Sequence, residues 1–523
     1  MSTTVFNKTN FQWEGLGINT DASNGVRLPN FIDCTMLNYA RFHVKTSINP
    51  GNAGIYYDNT AFDNLWLTSD DILNGNSRFT YSELVVSAGT NIIFTIGDDF
   101  FGSASPMDQA PITTFLGNNG LNTLNGDSLL AYARFFVSAI YVHNSLGMPI
   151  TWIDLLQVEV SECNNGRLYI SPQNYIILIQ TVKSLLSQRN ITGIKIMGPT
   201  ISHVISQGDT IDPYITIFQN TTLIDAWSFI PLEPYIDKNV YNKGDLSARI
   251  YMYTEISKTI NLMQITIPEI PIFITNFSTN ATRYSYLCDY SAVASESVEY
   301  ALRMMDNLCS IINSGGSCCI FWYITRANDH YALYRENNTS RPIFNCIENL
   351  SHVFFVPNEI GLSVYTNGDV YPFGDETFKA VVANDTMFSI ILSRPIATDL
   401  EQGSQIIQIN NSNWTGSNYN ISLQFFSFPE YISVLGIQYT AVVSNGSLLL
   451  SLTNVPYNCC VFIKGGIYPI IPITPSIQYK NINIEQVSSY PVSPVSGKVI
   501  YYIPTSTVYV YNSSTLTWIP ITL

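Results

Sequence analysis

Charge is what this sequence has least of. Only 12% of its 523 residues are Asp, Glu, Lys or Arg, against 46% hydrophobic ones, so Asn, Ser, Thr and Tyr must supply much of the wetted surface. The few charges lean acidic, giving a formal net charge of −15 and a pI ≈ 4.7. Such a chain offers no basic field to a phosphate backbone, which argues against a nucleic-acid partner. Histidine is scarce as well. His43, His143, His203, His330 and His352 are scattered without metal-ligand spacing, so no metal and no cofactor is expected. The nine cysteines contain no C-x-x-C pair, and the adjacent Cys318-Cys319 and Cys459-Cys460 are poor chelators by spacing. An odd count of this kind reads as mostly free, buried thiols, not a disulfide framework. No run approaches the roughly 18 apolar residues of a membrane span, and the polar stretch 1–10 reads as no signal peptide. A Gly-x-Ser-x-Gly elbow and a phosphate-cradling lysine motif are also missing. A neutral partner such as a carbohydrate fits this composition best.

What is present is a rhythm of short apolar runs. Stretches 12–19, 39–46, 91–97, 152–160, 193–198, 224–230, 271–277 and 318–323 read as strands. Helical spacing separates many of them, at 127–142, 171–190, 247–260 and 295–312, with a further piece near 81–86. The second of these helices has a clear start, with Ser171 as N-cap and Pro172 in the first turn. Eight apolar strands alternating with helices predict an α/β fold, a (β/α)8 TIM barrel over residues 1–355, with a doubly wound open sheet as the runner-up. Beyond that point helical periodicity ends. Runs at 364–365, 388–392, 406–409 and 448–452 between Asn/Gly turns predict a C-terminal β-sandwich over 356–468. Residues 469–523 form a β-rich tail with an expected strand pair at 498–502 and 508–511, either completing the sandwich or mediating interaction.

In a parallel barrel, function collects where strands end and loops converge. Lys45, Asp98, Asp99, Glu159, Glu162, Trp227, Asn276, Trp322 and Arg326 stand at such positions. Glu159 closes the fourth strand and is the candidate for a proton-donating carboxylate. A retaining glycosidase needs a second one about 5 Å away, and an inverting one needs it about 6.5–9.5 Å away. Asp98, Asp99, Glu162 and Glu233 are the carboxylates near other strand ends. Trp227 and Trp322 are candidate stacking surfaces for a sugar, with Asp98 and Glu233 as polar partners.

The order of these segments resembles the clan of barrel retaining glycoside hydrolases that includes glucosylceramidases, β-xylosidases and heparanase-like glucuronidases. In that clan strand four commonly ends Asn-Glu-Pro, where this chain has Val158-Glu159-Val160. Strand five ends in a Gly-Pro step, similar to Gly198-Pro199. Strand six often runs Trp-Ser-Phe-His, here Trp227-Ser228-Phe229-Ile230, and strand seven often ends Thr-Glu-Phe, here Thr275-Asn276-Phe277. Trp322 is similar to the clan's strand-eight tryptophan. The resemblance spans roughly residues 11–350 and implies Glu159 at the acid/base position and Asn276 at the nucleophile position. An amide cannot form the glycosyl ester that the retaining route requires. With Val158 and Ile230 also departing from the pattern, the resemblance implies a degenerate site: a carbohydrate-binding or structural protein, with an active β-glycosidase as the alternative. The low charge and abundant Asn, Ile and Tyr are similar to proteins of large DNA viruses of protists, which suggests a virion surface and structural partners.

Overall fold

The structure is a computed structural model that describes residues 3–20, 36–44, 58–67, 89–96, 124–147, 150–158, 170–204, 212–232, 246–277, 298–323, 333–334, 339–356, 361–367, 377–394, 402–415, 419–430, 432–469, 485–487, 489–490, 499–502, 504, 507–512 and 517–521. The chain divides into two compact units, Met1–Pro469 and Ile470–Leu523.

The larger unit opens with β1 (Thr3–Trp13), which belongs to a different sheet from the strand that follows it, β2 (Gly15–Thr20). The backbone turns between them at Gly15, whose φ of +111° is open to glycine and strained for other residues. A Cβ there would also run into the Asn38 side chain. The expected first strand over 12–19 therefore straddles two elements, and only its second half is barrel.

From β2 the barrel continues through β3 (Tyr39–Val44), β4 (Asn91–Ile96), β5 (Trp152–Asp154) with β6 (Gln157–Val158), β7 (Lys195–Met197) with β8 (Thr200–Val204), β9 (Trp227–Leu232), β10 (Ile272–Phe277) and β11 (Cys318–Tyr323). All neighbours pair in parallel, and β11 pairs with β2, so eight staves close on themselves. The fourth and fifth staves are each made of two short pieces. Between the pieces of the fifth, a Cβ on Gly198 would strike the Tyr175 hydroxyl, so glycine is what lets that stave pass the helix.

Among the described residues seven helices accompany the staves: α1 (Asn59–Leu67), α2 (Gly126–Ser145), α3 (Pro172–Gln188), α4 (Asp212–Thr216), α5 (Leu246–Thr266), α6 (Val298–Asn313) and α7 (Pro342–Phe354). In α3 the expected start is realised, with Ser171 Oγ accepting from the Asn174 N–H at 3.2 Å. Tyr175, Leu178, Ile179, Val182, Leu185 and Leu186 are buried on its inner face. At about 1.5–3 kcal/mol for each large apolar side chain buried, that face outweighs intrinsic helix propensity.

The second sheet has nine strands, adding β12 (Leu362–Thr366), β13 (Phe378–Ala383), β14 (Met387–Ser393), β15 (Gln402–Asn410), β16 (Tyr419–Phe428), β17 (Gln438–Ser444), β18 (Ser447–Pro456) and β19 (Cys460–Pro469) to β1. Their order is β16-β19-β14-β13-β12-β1-β15-β18-β17, so β1 sits inside the sheet, paired on both sides. The two halves fold over one apolar layer, in which Phe388, Ile390 and Ile463 face Ile407, Leu448 and Leu450. The edge strands meet through Phe425 and Tyr439, whose rings are 5.7 Å apart. On its other face the first half packs against α6 and α7 through Val364, Ala380, Ile391 and Phe462. This is the expected barrel followed by a β-sandwich, with the sandwich taking an interior strand from residues 3–13.

In the smaller unit β20 (Glu485–Val487), β21 (Val499–Tyr502), β22 (Thr507–Asn512) and β23 (Thr517–Ile521) form a sheet of their own. The expected strand pair is β21 with β22. Tyr490 and Tyr511 pack on Trp518 with ring centroids 5.7 and 5.2 Å away.

Candidate functional site

Two kinds of side chain fill the barrel. Towards the starts of the staves the lining is apolar, with Ile93, Met197, Ala226, Phe273, Cys318 and Ile320 all buried. Trp152 and Tyr39 close this end: Lys195 Nζ lies 4.9 Å from the Trp152 ring centroid, and the Tyr39 hydroxyl donates to Glu14 Oε2 at 3.0 Å. Burial first, and then the Glu14 charge, raise the pKa of that hydroxyl.

One step further along the staves the lining turns polar. Asn19, Arg41, Thr95, Asp154, Thr200, Ser228 and Thr275 come from seven successive staves, and all are buried. Six of them join in a hydrogen-bonded belt. Asn19 Nδ2 donates to the Phe321 carbonyl at 2.9 Å and its Oδ1 accepts from Arg41 Nη1 at 3.0 Å. Arg41 grips Asp154 Oδ2 through both Nε, at 3.0 Å, and Nη2. Thr200 Oγ1 donates to Asp154 Oδ1 at 2.8 Å and lies 2.7 Å from Ser228 Oγ, which in turn is 3.3 Å from Thr275 Oγ1. The belt thus runs from the eighth stave through the first and second, across to the fourth, and on to the seventh. Thr95, on the third, has no hydrogen-bond partner for its hydroxyl among the described residues.

The ion pair at the centre of the belt imposes its charge on its surroundings. Tyr132 donates to the Leu155 carbonyl at 2.7 Å, and Tyr175 lies beside the break in the fifth stave. Burial chiefly, and then the Asp154 carboxylate, raise both hydroxyls well above the ordinary tyrosine pKa, so both stay neutral. Because Asn19 and Thr95 are the penultimate residues of β2 and β4, and Thr275 directly precedes Asn276 in β10, the belt is the floor under the C-terminal mouth of the barrel.

The residues expected from sequence fall into three groups. Asn276 and Trp322 lie in β10 and β11, at the mouth, with side chains outside the described part; the same holds for Val158 in β6. Glu159, Asp98 and Glu233 lie outside the described residues, as do Lys45, Asp99, Glu162 and Arg326. Trp227 requires a correction. Its indole is fully buried in the layer between staves and helices, edge-on to Phe218 at 5.6 Å, with Nε1 donating to the Ile267 carbonyl at 3.5 Å. It is a core residue and cannot stack on a sugar, because alternation along β9 sends its neighbour Ser228 inward instead.

Sequence reasoning missed the belt. Its signal was a charge in the middle of each of two apolar strands, Arg41 in Tyr-Ala-Arg-Phe and Asp154 in Trp-Ile-Asp-Leu, and a buried charge must be paired. Among the described residues no cluster of three His, Cys, Asp or Glu could hold a metal. The six described cysteines are buried, and none of them forms a disulfide among the described residues.

No family model and no curated protein matches this sequence. Solved structures do match. A glycoside hydrolase family 30 subfamily 8 xylanase from Clostridium acetobutylicum superposes with a TM-score of 0.55 at 13% identity, over 88% of this chain and 99% of the xylanase. An endo-β1,6-glucanase gives 0.55 at 11% identity over 89% of this chain and 93% of its own. A glucosidase from Croceicoccus marinus gives 0.52 at 11% over 89% and 99%. This is the fold of the barrel glycoside hydrolases. At such identities the likeness is one of fold, and in this glycoside-hydrolase-like barrel the chemistry has to be argued from the mouth and its floor.

Proposed function

We propose that this chain is a glycosidase-fold protein that binds carbohydrate at the barrel mouth without hydrolysing it. The observation that carries the reading is Asn276, placed at the end of the seventh stave where the resemblance puts the nucleophile. The floor beneath supports it. Asp154 is the one carboxylate among the described residues of the two lining layers, and its two oxygens are taken by Arg41 and Thr200. A carboxylate so held is a structural partner and not a free nucleophile. Glu159 would remain as an acceptor for sugar hydroxyls, with Trp322 of β11 and, from the sequence, Asp98 and Glu233 as further binding candidates. The sparse charge suits display on a particle surface among other structural proteins.

The second reading is a β-glycosidase with Glu159 as general acid/base and another carboxylate as its partner; retention of Glu159 favours it. Hydrolysis of a panel of aryl β-glycosides decides between them. No turnover is expected from the natural chain, and Asn276→Glu is expected to gain some. Turnover that Glu159→Gln abolishes would sink the binding-only reading. Absence of the protein from every purified particle or assembly would count against the surface setting.

A further inference from the structure

β19 contains a glycine pair, Gly465-Gly466, and an aromatic ring covers each glycine from an opposite side of the sheet. On the inner side a Cβ on Gly465 would collide with the ring of Phe388, which is fully buried in the sandwich core. On the outer side a Cβ on Gly466 would stand 2.7 Å from both Cε2 and the hydroxyl of Tyr468, and 2.9 Å from Ser422 Oγ. Gly466 is consequently buried, yet Tyr468 itself is 56% exposed. Core packing accounts for Phe388. It does not account for Tyr468, whose ring covers a glycine with one side and gives the other to solvent.

Register supplies the surroundings. Ser422 stands opposite Gly466, Asn420 opposite Tyr468 and Gln424 opposite Lys464, and these three β16 residues are exposed. Lys464, the one charge among them, donates to the His352 carbonyl at 3.2 Å. The same face runs under α7 at Phe462 and emerges from it past His352, so Tyr468 lies on an open shelf beyond the C-terminal end of that helix. That end receives the Trp13 indole N–H at Phe354, beside the starts of the staves, and so lies away from the barrel mouth.

We propose that this shelf is a second carbohydrate site, taking the apolar face of one pyranose ring of a neutral glycan. A flat, half-exposed aromatic presents the surface that the C–H face of a sugar packs on. The amides of Asn420 and Gln424 and the Ser422 hydroxyl offer donors and acceptors to ring hydroxyls at its edge. Among the described residues that register places on the shelf there is no carboxylate, and its lysine is engaged by backbone, so a charged ligand would find little counter-charge among them. The shelf shares only its class of ligand with the function proposed for the mouth.

The test is native electrophoresis of the full chain in gels cast with xylan, with mixed-linkage β-glucan, or with neither. Wild type should be retarded by at least one polysaccharide. Tyr468→Ala should weaken that affinity roughly five- to tenfold, and Tyr468→Phe should hold it within about twofold. Tyr468→Leu, which still covers Gly466, should behave like the alanine variant, so that loosening of the strand is told apart from loss of the ring. Retardation unchanged by Tyr468→Ala, or preserved by leucine as well as by phenylalanine, overturns the proposal. So does a wild type retarded by neither polysaccharide, including one that sediments as a dimer which Tyr468→Ala dissolves. Glu159→Ala reports separately on the mouth. If it alone abolishes retardation the shelf fails and the mouth stands, and if Tyr468→Ala alone does so the reverse holds.

Discussion

The lower lining of the barrel and the belt above it occupy the same tube and are held by opposite means. Below, Phe273, Met197 and Ile320 fill space, and each would be replaceable by another side chain of similar volume. Above, Arg41, Asp154 and Thr200 are bound to particular atoms of particular neighbours. Apolar filling makes a tube stable at little cost in specificity. A buried polar belt costs desolvation and fixes the relative heights of the staves that end at the mouth. The difference marks the layer at which space-filling gives way to atom-specific bonding, directly beneath the mouth.

Breaking the ion pair should have the largest effect. Asp154→Leu leaves the Arg41 guanidinium buried without its carboxylate and is expected to cost about 3–5 kcal/mol in denaturant unfolding. The double variant Arg41→Met, Asp154→Leu converts the belt's centre into more of the lower layer and should recover most of that loss. A double variant no more stable than the single one would show that the belt is not the self-contained unit described. Next in size is a pair of threonines. Thr200→Val removes the donor to Asp154 Oδ1 and the link to Ser228, and should cost about 1–3 kcal/mol. Thr95→Val discards a hydroxyl with no partner among the described residues and should fall within about 0.5 kcal/mol of wild type or stabilise it. Equal losses for the two would erase the distinction between a bonded and an unbonded member of the same ring.

The mildest effect is read in pH and vanishes near neutrality. Tyr132 and Tyr175 have hydroxyl pKa values raised in the folded state, as do the buried thiols of Cys318 and Cys319. Their neutral forms stabilise the fold fully below the unfolded values, about 9 for a thiol and 10 for a tyrosine. That contribution is lost as pH rises above those values towards the raised folded ones. Circular dichroism and tyrosinate absorbance should therefore change together on the alkaline side for these buried groups. Full ionisation of every tyrosine while the dichroism stays native would contradict the burial of both belt-side hydroxyls.

The staves were legible because parallel strands wrapped by helices write themselves as continuous apolar runs, and α3 because its cap and periodic face are local. Helix α7 went unread although Ile343, Ile347 and Leu350 have helical spacing, since nothing nearby in the sequence announces the sheet it packs on. Trp227 was misplaced because a motif fixes position along a strand and not which way a side chain faces. The belt was hidden for a related reason: Arg41 and Asp154 stand 113 residues apart and only closure of the barrel brings them together. Asn276, by contrast, needed no structure. The resemblance alone implies an amide where its members carry a carboxylate, and that difference is legible in one letter.

The interior position of β1 governs how such a chain can be made. Asn7 and Lys8 pair with Thr366 and Tyr365 on one side, and Thr3–Asn7 with Ile406–Asn410 on the other. β1 leaves the ribosome ahead of the barrel and must therefore wait through the synthesis of all of it before either neighbour exists. Pairing at such sequence separation is slow to form, and an unpaired strand kept waiting is a target for aggregation. Cutting the chain at residue 355 would give two pieces, neither of which holds a complete sandwich. Supplied together, the pieces could complement one another only by rebuilding the seam along β1, which makes that strand the clasp of the larger unit.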